Sequence, residues 1–282
     1  MHQDAPLKIE IQRNAACALA EDVGTGDLTA QLITAGHLAR GAVISREDAV
    51  LCGTAWFDAC LKTLDPDAVI TWSAGDGARI EAGQTLCEIK SNARALLTAE
   101  RTALNFLQLL SATATLTWRF VHAIAGTGAQ IVDTRKTLPG LRLAQKYAVR
   151  TGGGTNHRLG LYDGILIKEN HIHAAGGVNA ALEQAIRLAP PQTFIQIEVE
   201  TLAQLREALA AGAKMILLDN MELAQMREAV TLTARRATLE ASGGVNLERV
   251  RAIAETGVDR ISIGSLTKDV RAIDLSLRHV EN

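Results

Sequence analysis

The sequence predicts an α/β fold: an open, incomplete β/α barrel of about six parallel strands, preceded by an N-terminal α+β domain. Three observations carry that expectation. Six short apolar runs follow one another from about residue 129, each closing on a polar residue or a glycine. Amphipathic patterns separate them, and strand–helix alternation with short connections implies parallel strands joined by right-handed crossovers. Of the 282 residues, 48% are hydrophobic but only 3% aromatic, so the core is built from Ala, Leu, Ile and Val, the material of buried parallel sheets.

Residues 1–112 read as the α+β domain. Ala42-Val43-Ile44-Ser45, Asp48-Ala49-Val50-Leu51 and Ala68-Val69-Ile70-Thr71 look like antiparallel strands, with tight turns at Gly75-Asp76-Gly77 and Glu81-Ala82-Gly83. A long helix from about Leu96 to Val121 leads into the barrel domain, 113–267. Its strands are expected at Ala129–Val132 before Asp133, Gly164–Ile167 before Lys168, Phe194–Ile197 before Glu198, and Met215–Leu218 before Asp219. Two more, Ala237–Ala241 and Ile261–Ile263, run into Ser242-Gly243-Gly244 and Gly264-Ser265. Leu202, Leu205 and Leu209 recur at helical spacing, as do Val250, Ile253 and Ala254. Asn246 suits a helix N-cap, and Gly212 and Gly257 fall where a left-handed residue would end a helix. Residues 268–282 are expected to form a C-terminal helix returning to the first domain.

The 29 basic and 31 acidic side chains give a formal charge of -2. No apolar run is long enough to cross a bilayer, and the N-terminus lacks a secretory pattern. Cys17, Cys52, Cys60 and Cys87 form no Cys-x-x-Cys pair, so reduced, buried thiols are expected rather than a zinc site. A cytoplasmic protein follows.

Against this near-neutral background, cations crowd the strand ends. Thr134-Arg135-Lys136 follow the first run, His157 and Arg158 come before the second, and Lys168 ends it. Arginine gives a planar two-pronged donor and lysine a mobile point charge, so the mixture suits a ligand carrying both carboxylates and phosphates. A dense positive site in such a protein points to a small polyanion, not to a nucleic-acid surface. Glu198 and Asp219 end two successive strands; they are placed to hold Mg²⁺, or else to pair with the nearby cations. Ser242, Gly243, Gly244, Gly264 and Ser265 leave backbone N–H groups open to a phosphate after the last two strands. Gly152-Gly153-Gly154 reads more simply as a helix end. His171 could add a cation, but His171 and His173 have no third ligand near them for a metal. By its local pattern Arg101 is a solvated helix residue.

Taken in order, DTRKTLPGLR (133–142), GGGTNHRLGLYDGILIKENHI (152–172), IEVETL (197–202), ILLDN (216–220), LEASGGV (239–245) and ISIGSLT (261–267) resemble the quinolinate phosphoribosyltransferase family. EDVGTGDLT (21–29) and LTAERTALNFLQLLSATAT (97–115) extend the resemblance over nearly the whole chain. It implies transfer of a phosphoribosyl group from phosphoribosyl pyrophosphate to quinolinate with decarboxylation, Mg²⁺ as cofactor, and a homodimer, or a higher oligomer, with the site between subunits. Arg101 would then reach into the neighbouring subunit. Arg135, Lys136, His157, Arg158 and Lys168 would bind the two substrates, with Thr134 in the same motif. Glu198 and Asp219 would be the metal- and ribose-side acids, and Ser242, Gly243, Gly244 and Gly264 the phosphate cradle. One position departs: family members often carry an acid two residues before Glu198, where this chain has Gln196. Three alternatives stay open: the molybdenum-associated branch acting on another acid, a Schiff-base aldolase using Lys168, and a non-catalytic phosphoribosyl-binding regulator.

Overall fold

The computed structural model describes residues 5–279, which fall into two compact units. The first gathers the described residues up to Trp118, with Thr137–Gly153 and those from Thr267 onward; the second holds Arg119–Lys136 and Gly154–Leu266. In chain order the early elements are α1 (Ala5–Val23), β1 (Leu38–Ser45), β2 (Ala49–Val50), α2 (Thr54–Leu64), β3 (Val69–Trp72), β4 (Arg79–Ile80), β5 (Thr85–Asn92) and α3 (Ala93–Ala123). There follow β6 (Gln130–Val132), α4 (Arg142–Thr151), β7 (Gly164–Ile167), α5 (Glu169–Ala175), α6 (Val178–Leu188), β8 (Phe194–Val199) and α7 (Leu202–Ala210). The last are β9 (Met215–Asp219), α8 (Leu223–Thr233), β10 (Thr238–Ser242), α9 (Val250–Ala254), β11 (Arg260–Ser262), α10 (Ser265–Lys268) and β12 (Leu275–His279).

In the first unit an antiparallel sheet runs β12-β1-β5-β3, beside a small β2-β4 pair. Helices α1, α2 and α3 supply Leu7, Trp56, Phe57, Leu104 and Leu107 to its buried core. Two expectations are corrected here. The chain end is a strand, not a helix: β12 pairs with β1, setting Leu275 opposite Ser45. Ile273, Leu275 and Leu277 alternate with Asp274, Ser276 and Arg278, a period of two that suits a sheet edge and buries Ile273 and Leu275. Residues 280–282 of the expected helix lie outside the described residues. Second, Thr137–Gly153 belongs to the first unit although it falls inside the span expected for the barrel. The reason is packing. Ala144 and Ala148 of α4 join the first core, and the Tyr147 hydroxyl donates to Asp76 at 2.8 Å. That same carboxylate accepts the Gly53 and Thr54 N–H groups, 3.1 Å away, at the start of α2. Burial and then the Asp76 charge push the Tyr147 hydroxyl well above its ordinary range.

The second unit is built on the six-stranded parallel sheet β6-β11-β10-β9-β8-β7. Among the described residues β6 and β7 stay as its two ends, so the barrel is open, as the sequence predicts. Every strand runs the same way, and all six C-terminal ends lie on one edge. Along β8 the side chains alternate: Ile197 and Val199 are buried on one face, while Gln196 and Glu198 share the other. Asn246 caps the turn into α9 by accepting the Arg249 N–H at 2.9 Å. Gly212 (φ 82°) and Gly257 (φ 93°) close their helices in the left-handed conformation. The Gly152 run serves packing. A side-chain carbon on Gly152 would collide with the Ala114 carbonyl oxygen and come within 2.8 Å of Thr117 Cβ on α3.

Candidate active site

The strand register sets the acids and the lysine. Ile167 pairs with Ile197, so Lys168, just past the end of β7, lies beside Glu198, the next to last residue of β8. Lys168 Nζ lies 3.3 Å from Glu198 Oε2, with the lysine half-exposed and the carboxylate mostly covered. Just beyond, His171 Nδ1 accepts the Lys168 backbone N–H at 3.0 Å, which anchors the first turn of α5 and occupies that nitrogen. One strand over, Asp219 at the end of β9 is in register with Ser242 at the end of β10.

Sequence reasoning missed Asn220, which holds these two ends together. Its N–H donates to the Ser242 carbonyl at 3.0 Å and its side-chain amide to Asp219 Oδ2 at 2.8 Å. It does so with φ 53°, and Asn tolerates that left-handed conformation better than most residues. An Asn directly after a strand-ending Asp was the available signal. Gly243 (φ 96°) follows Ser242 and packs so tightly on Asn220 that any Cβ would strike its Oδ1. With Gly244 (φ 58°), the loop keeps its backbone free of side chains.

On the far side of the sheet Thr134 Oγ1 accepts the Lys136 N–H at 3.0 Å. The Lys136 chain then crosses Gly264: a Cβ there would come within 3.0 Å of Lys136 Cδ. Gly264 therefore gives that lysine its path, and Ser265 opens α10 directly after it. Arg158 donates to the Gly164 carbonyl at 3.0 Å. Its guanidinium pKa lies below the ordinary value because of burial, then because of the Arg135 charge, with Asp163 opposing both. Two guanidinium groups thus repel one another, the arrangement expected where an anion is to sit between them.

His157 is placed differently from an exposed ligand contact. It is buried, its ring edge-on to Phe194 at 5.4 Å. Its N–H donates to Asp133 Oδ1 at 2.8 Å, and Asn156 donates to Oδ2 of the same buried carboxylate at 2.6 Å. Both ring nitrogens are engaged, Nδ1 with the Arg158 N–H at 2.8 Å and Nε2 with Gln196 Oε1 at 2.7 Å. Asp163 closes the following loop by accepting the Leu159 and Gly160 N–H groups at 2.7 and 2.8 Å. Arg101 is exposed on α3, in the first unit.

Residues 27–111 match the family model described as the N-terminal domain of quinolinate phosphoribosyl transferase, and residues 113–278 match its C-terminal domain. The chain belongs to the quinolinate phosphoribosyltransferase family. It is 46% identical over 270 residues to the nicotinate-nucleotide pyrophosphorylase [carboxylating] of Mycobacterium leprae, covering 92% of this chain and 94% of that protein. It is 39% identical over 281 residues to quinolinate phosphoribosyltransferase [decarboxylating] 1b of Nicotiana tabacum, covering 93% and 80%. The solved structure of the Francisella tularensis nicotinate-nucleotide pyrophosphorylase superposes with a TM-score of 0.94 at 44% identity, covering 97% of each chain. The expected family stands, and so does the open-barrel fold. No helix among the described residues is long and apolar enough to cross a membrane.

Proposed function

We propose that this chain transfers the phosphoribosyl group of phosphoribosyl pyrophosphate to the ring nitrogen of quinolinate, releasing pyrophosphate and CO₂ and giving nicotinate mononucleotide. The observation that carries the reading is the set of cations in the second unit: Lys168 beside Glu198, Lys136 passing over Gly264, and Arg158 close enough to Arg135 for that charge to lower its pKa. Two polyanionic substrates repel each other, and such a set offsets that repulsion before any bond is made. The names of the relatives favour quinolinate over the molybdenum-associated alternative.

Arg135 and Arg158 are assigned to the two carboxylates, where paired N–H donors fix the ring plane. Lys136 and Lys168 are assigned to the phosphates, with Thr134 orienting the Lys136 backbone. Ser242, Gly243, Gly244, Gly264 and Ser265 are assigned to the 5′-phosphate, and Asp219 to the ribose side. The pyridine lone pair forms the bond to C1 as the bond from C1 to pyrophosphate breaks, its electrons leaving with pyrophosphate. The bond from C2 to its carboxylate then breaks. That pair stays on C2, beside the now cationic nitrogen, until a solvent proton takes it up. Positioning and charge stabilisation are sufficient for these steps, and no covalent enzyme intermediate is needed.

Glu198 and Asp219 are hard oxygen donors on adjacent strands, and no group of three or more metal-ligating side chains occurs among the described residues. That donor set fits Mg²⁺, which keeps several waters and takes one or two carboxylates plus phosphate oxygens. Bound there, Mg²⁺ would supply positive charge to the departing pyrophosphate. Arg101 is assigned to the site of a second copy in a homodimer, consistent with its exposure on α3. A reducing compartment such as the cytoplasm suits four free cysteines.

Incubation with phosphoribosyl pyrophosphate, Mg²⁺ and either quinolinate or nicotinate tests the reading. Mononucleotide from quinolinate alone supports it. Mononucleotide from nicotinate alone, or from neither acid, overturns it.

A further inference from the structure

Beneath Arg158 lies a buried polar chain whose hydrogen bonds all run in one direction. At its upper end the Arg158 backbone N–H meets His157 Nδ1 at 2.8 Å. A backbone amide only donates, so Nδ1 carries no proton. At its lower end Glu240, fully buried on β10, accepts Gln196 Nε2 at 3.2 Å on Oε2, and Arg260 Nε forms an ion pair with the same oxygen at 3.3 Å. A carboxylate only accepts, so Gln196 turns its NH₂ toward Glu240 and its oxygen toward the imidazole. Gln196 Oε1 lies 2.7 Å from His157 Nε2, which must therefore carry the ring proton. The two ends of the chain fix the tautomer and the amide orientation together.

This geometry has a chemical consequence. An imidazolium at 157 would present an N–H to the N–H of Arg158 and break the contact that seats that residue. A carboxylate at 196 would put an oxygen where the amide nitrogen now meets Glu240, and two buried carboxylates at that distance draw in a proton. The neutral amide passes the hydrogen bond along without passing the charge. The other oxygen, Glu240 Oε1, is buried without a hydrogen-bond partner and lies 3.7 Å from His157 Nε2, so negative potential already reaches the ring.

We propose that Gln196 is a positioning residue for the acid substrate: it holds His157 as the neutral Nε2–H imidazole, and through Nδ1 that ring sets the backbone of Arg158. His157 then supports the carboxylate clamp from below instead of touching the ligand. The assignment to an acid substrate rests on the function proposed above; the tautomer does not.

The test pairs a spectroscopic readout with kinetics. Nitrogen-15 spectra of the free protein, with the His157 signals assigned from a His157→Asn sample, should show a protonated Nε2 and an unprotonated Nδ1. Gln196→Met keeps the volume but removes the acceptor. It should alter that signature and raise KM for quinolinate about tenfold, with kcat and KM for phosphoribosyl pyrophosphate each within about twofold. Gln196→Glu should bring both ring nitrogens to the protonated type and raise the same KM. A wild-type ring protonated at Nδ1 overturns the proposal. So does Gln196→Met that leaves the signature and KM unchanged, or that lowers kcat and raises both KM values alike, as general damage would. A wild-type protein that does not use quinolinate fails the functional reading and with it the positioning role, while the nitrogen signals still decide the tautomer.

Discussion

Lys168 Nζ lies 3.3 Å from Glu198 Oε2, across the adjacent ends of β7 and β8. The pair is asymmetric, since the lysine side chain is 51% exposed and the glutamate 16%. Removing one partner therefore leaves a different residue charge in each case. Glu198→Gln leaves an uncompensated cation but removes one of the two Mg²⁺ donors, so kcat should fall roughly a hundredfold with little change in KM for phosphoribosyl pyrophosphate. Lys168→Met leaves a bare carboxylate facing anionic ligands and should raise KM for phosphoribosyl pyrophosphate. Steady-state kinetics on both variants checks that one change falls on kcat and the other on KM.

Arg135→Ala and Arg158→Ala should each lower kcat/KM for quinolinate by about a hundredfold or more, because a two-pronged carboxylate contact is lost. The Arg135 charge also weighs on Arg158 in the free protein. Their effects should therefore not add, and the double variant should lose less than the product of the single losses. A double-mutant cycle on kcat/KM measures the coupling.

Arg101 carries the subunit prediction. Arg101→Ala and Arg135→Ala, each inactive alone, should regain activity when mixed under conditions of subunit exchange. Random pairing leaves about a quarter of the sites intact, so recovery toward that fraction is expected. Exchange demonstrated by mass labelling without any recovery would show that each chain builds its own complete site.

Asp65 gives a pH signature of stability in the first unit. It accepts the Ser91 hydroxyl at 2.6 Å and the Asn92 N–H at 2.8 Å, and these bonds, the Ser91 bond first, hold its carboxyl below the ordinary range. A lowered folded-state pKa contributes stability above the unfolded value of about 4, and loses it as pH falls through the folded value. Asp65→Asn should therefore melt below the wild type at neutral pH, with the gap closing as pH drops below that point. Thermal melts across the acid range check it.

Much of this was legible in the sequence because it is local. The strands β6 to β11 are short apolar runs, and the polar residues at or just past their C-terminal ends carry the candidate site. Long α3 announced itself by length. What failed depended on partners far along the chain. The alternation at Ile273, Leu275 and Leu277 acquires its meaning only beside β1, and β5 reads as a strand only as the centre of a sheet. Thr137–Gly153 joins the first unit through Ala144, Ala148 and Tyr147, a choice that no local pattern records. The chain from Arg158 through His157, Gln196 and Glu240 to Arg260 uses residues spread over about a hundred positions, so spacing could not reveal it. Gln196 was visible as a departure, but its partner was not.

On the proposed function, the cations of the second unit bring a diacid and a sugar diphosphate together and then favour decarboxylation. Quinolinate labelled in its 2-carboxylate, supplied with phosphoribosyl pyrophosphate and Mg²⁺, measures this directly. Labelled CO₂ is expected in equal amount to pyrophosphate, and none when phosphoribosyl pyrophosphate is left out. Pyrophosphate released without labelled CO₂, or CO₂ released without the sugar diphosphate, would contradict it.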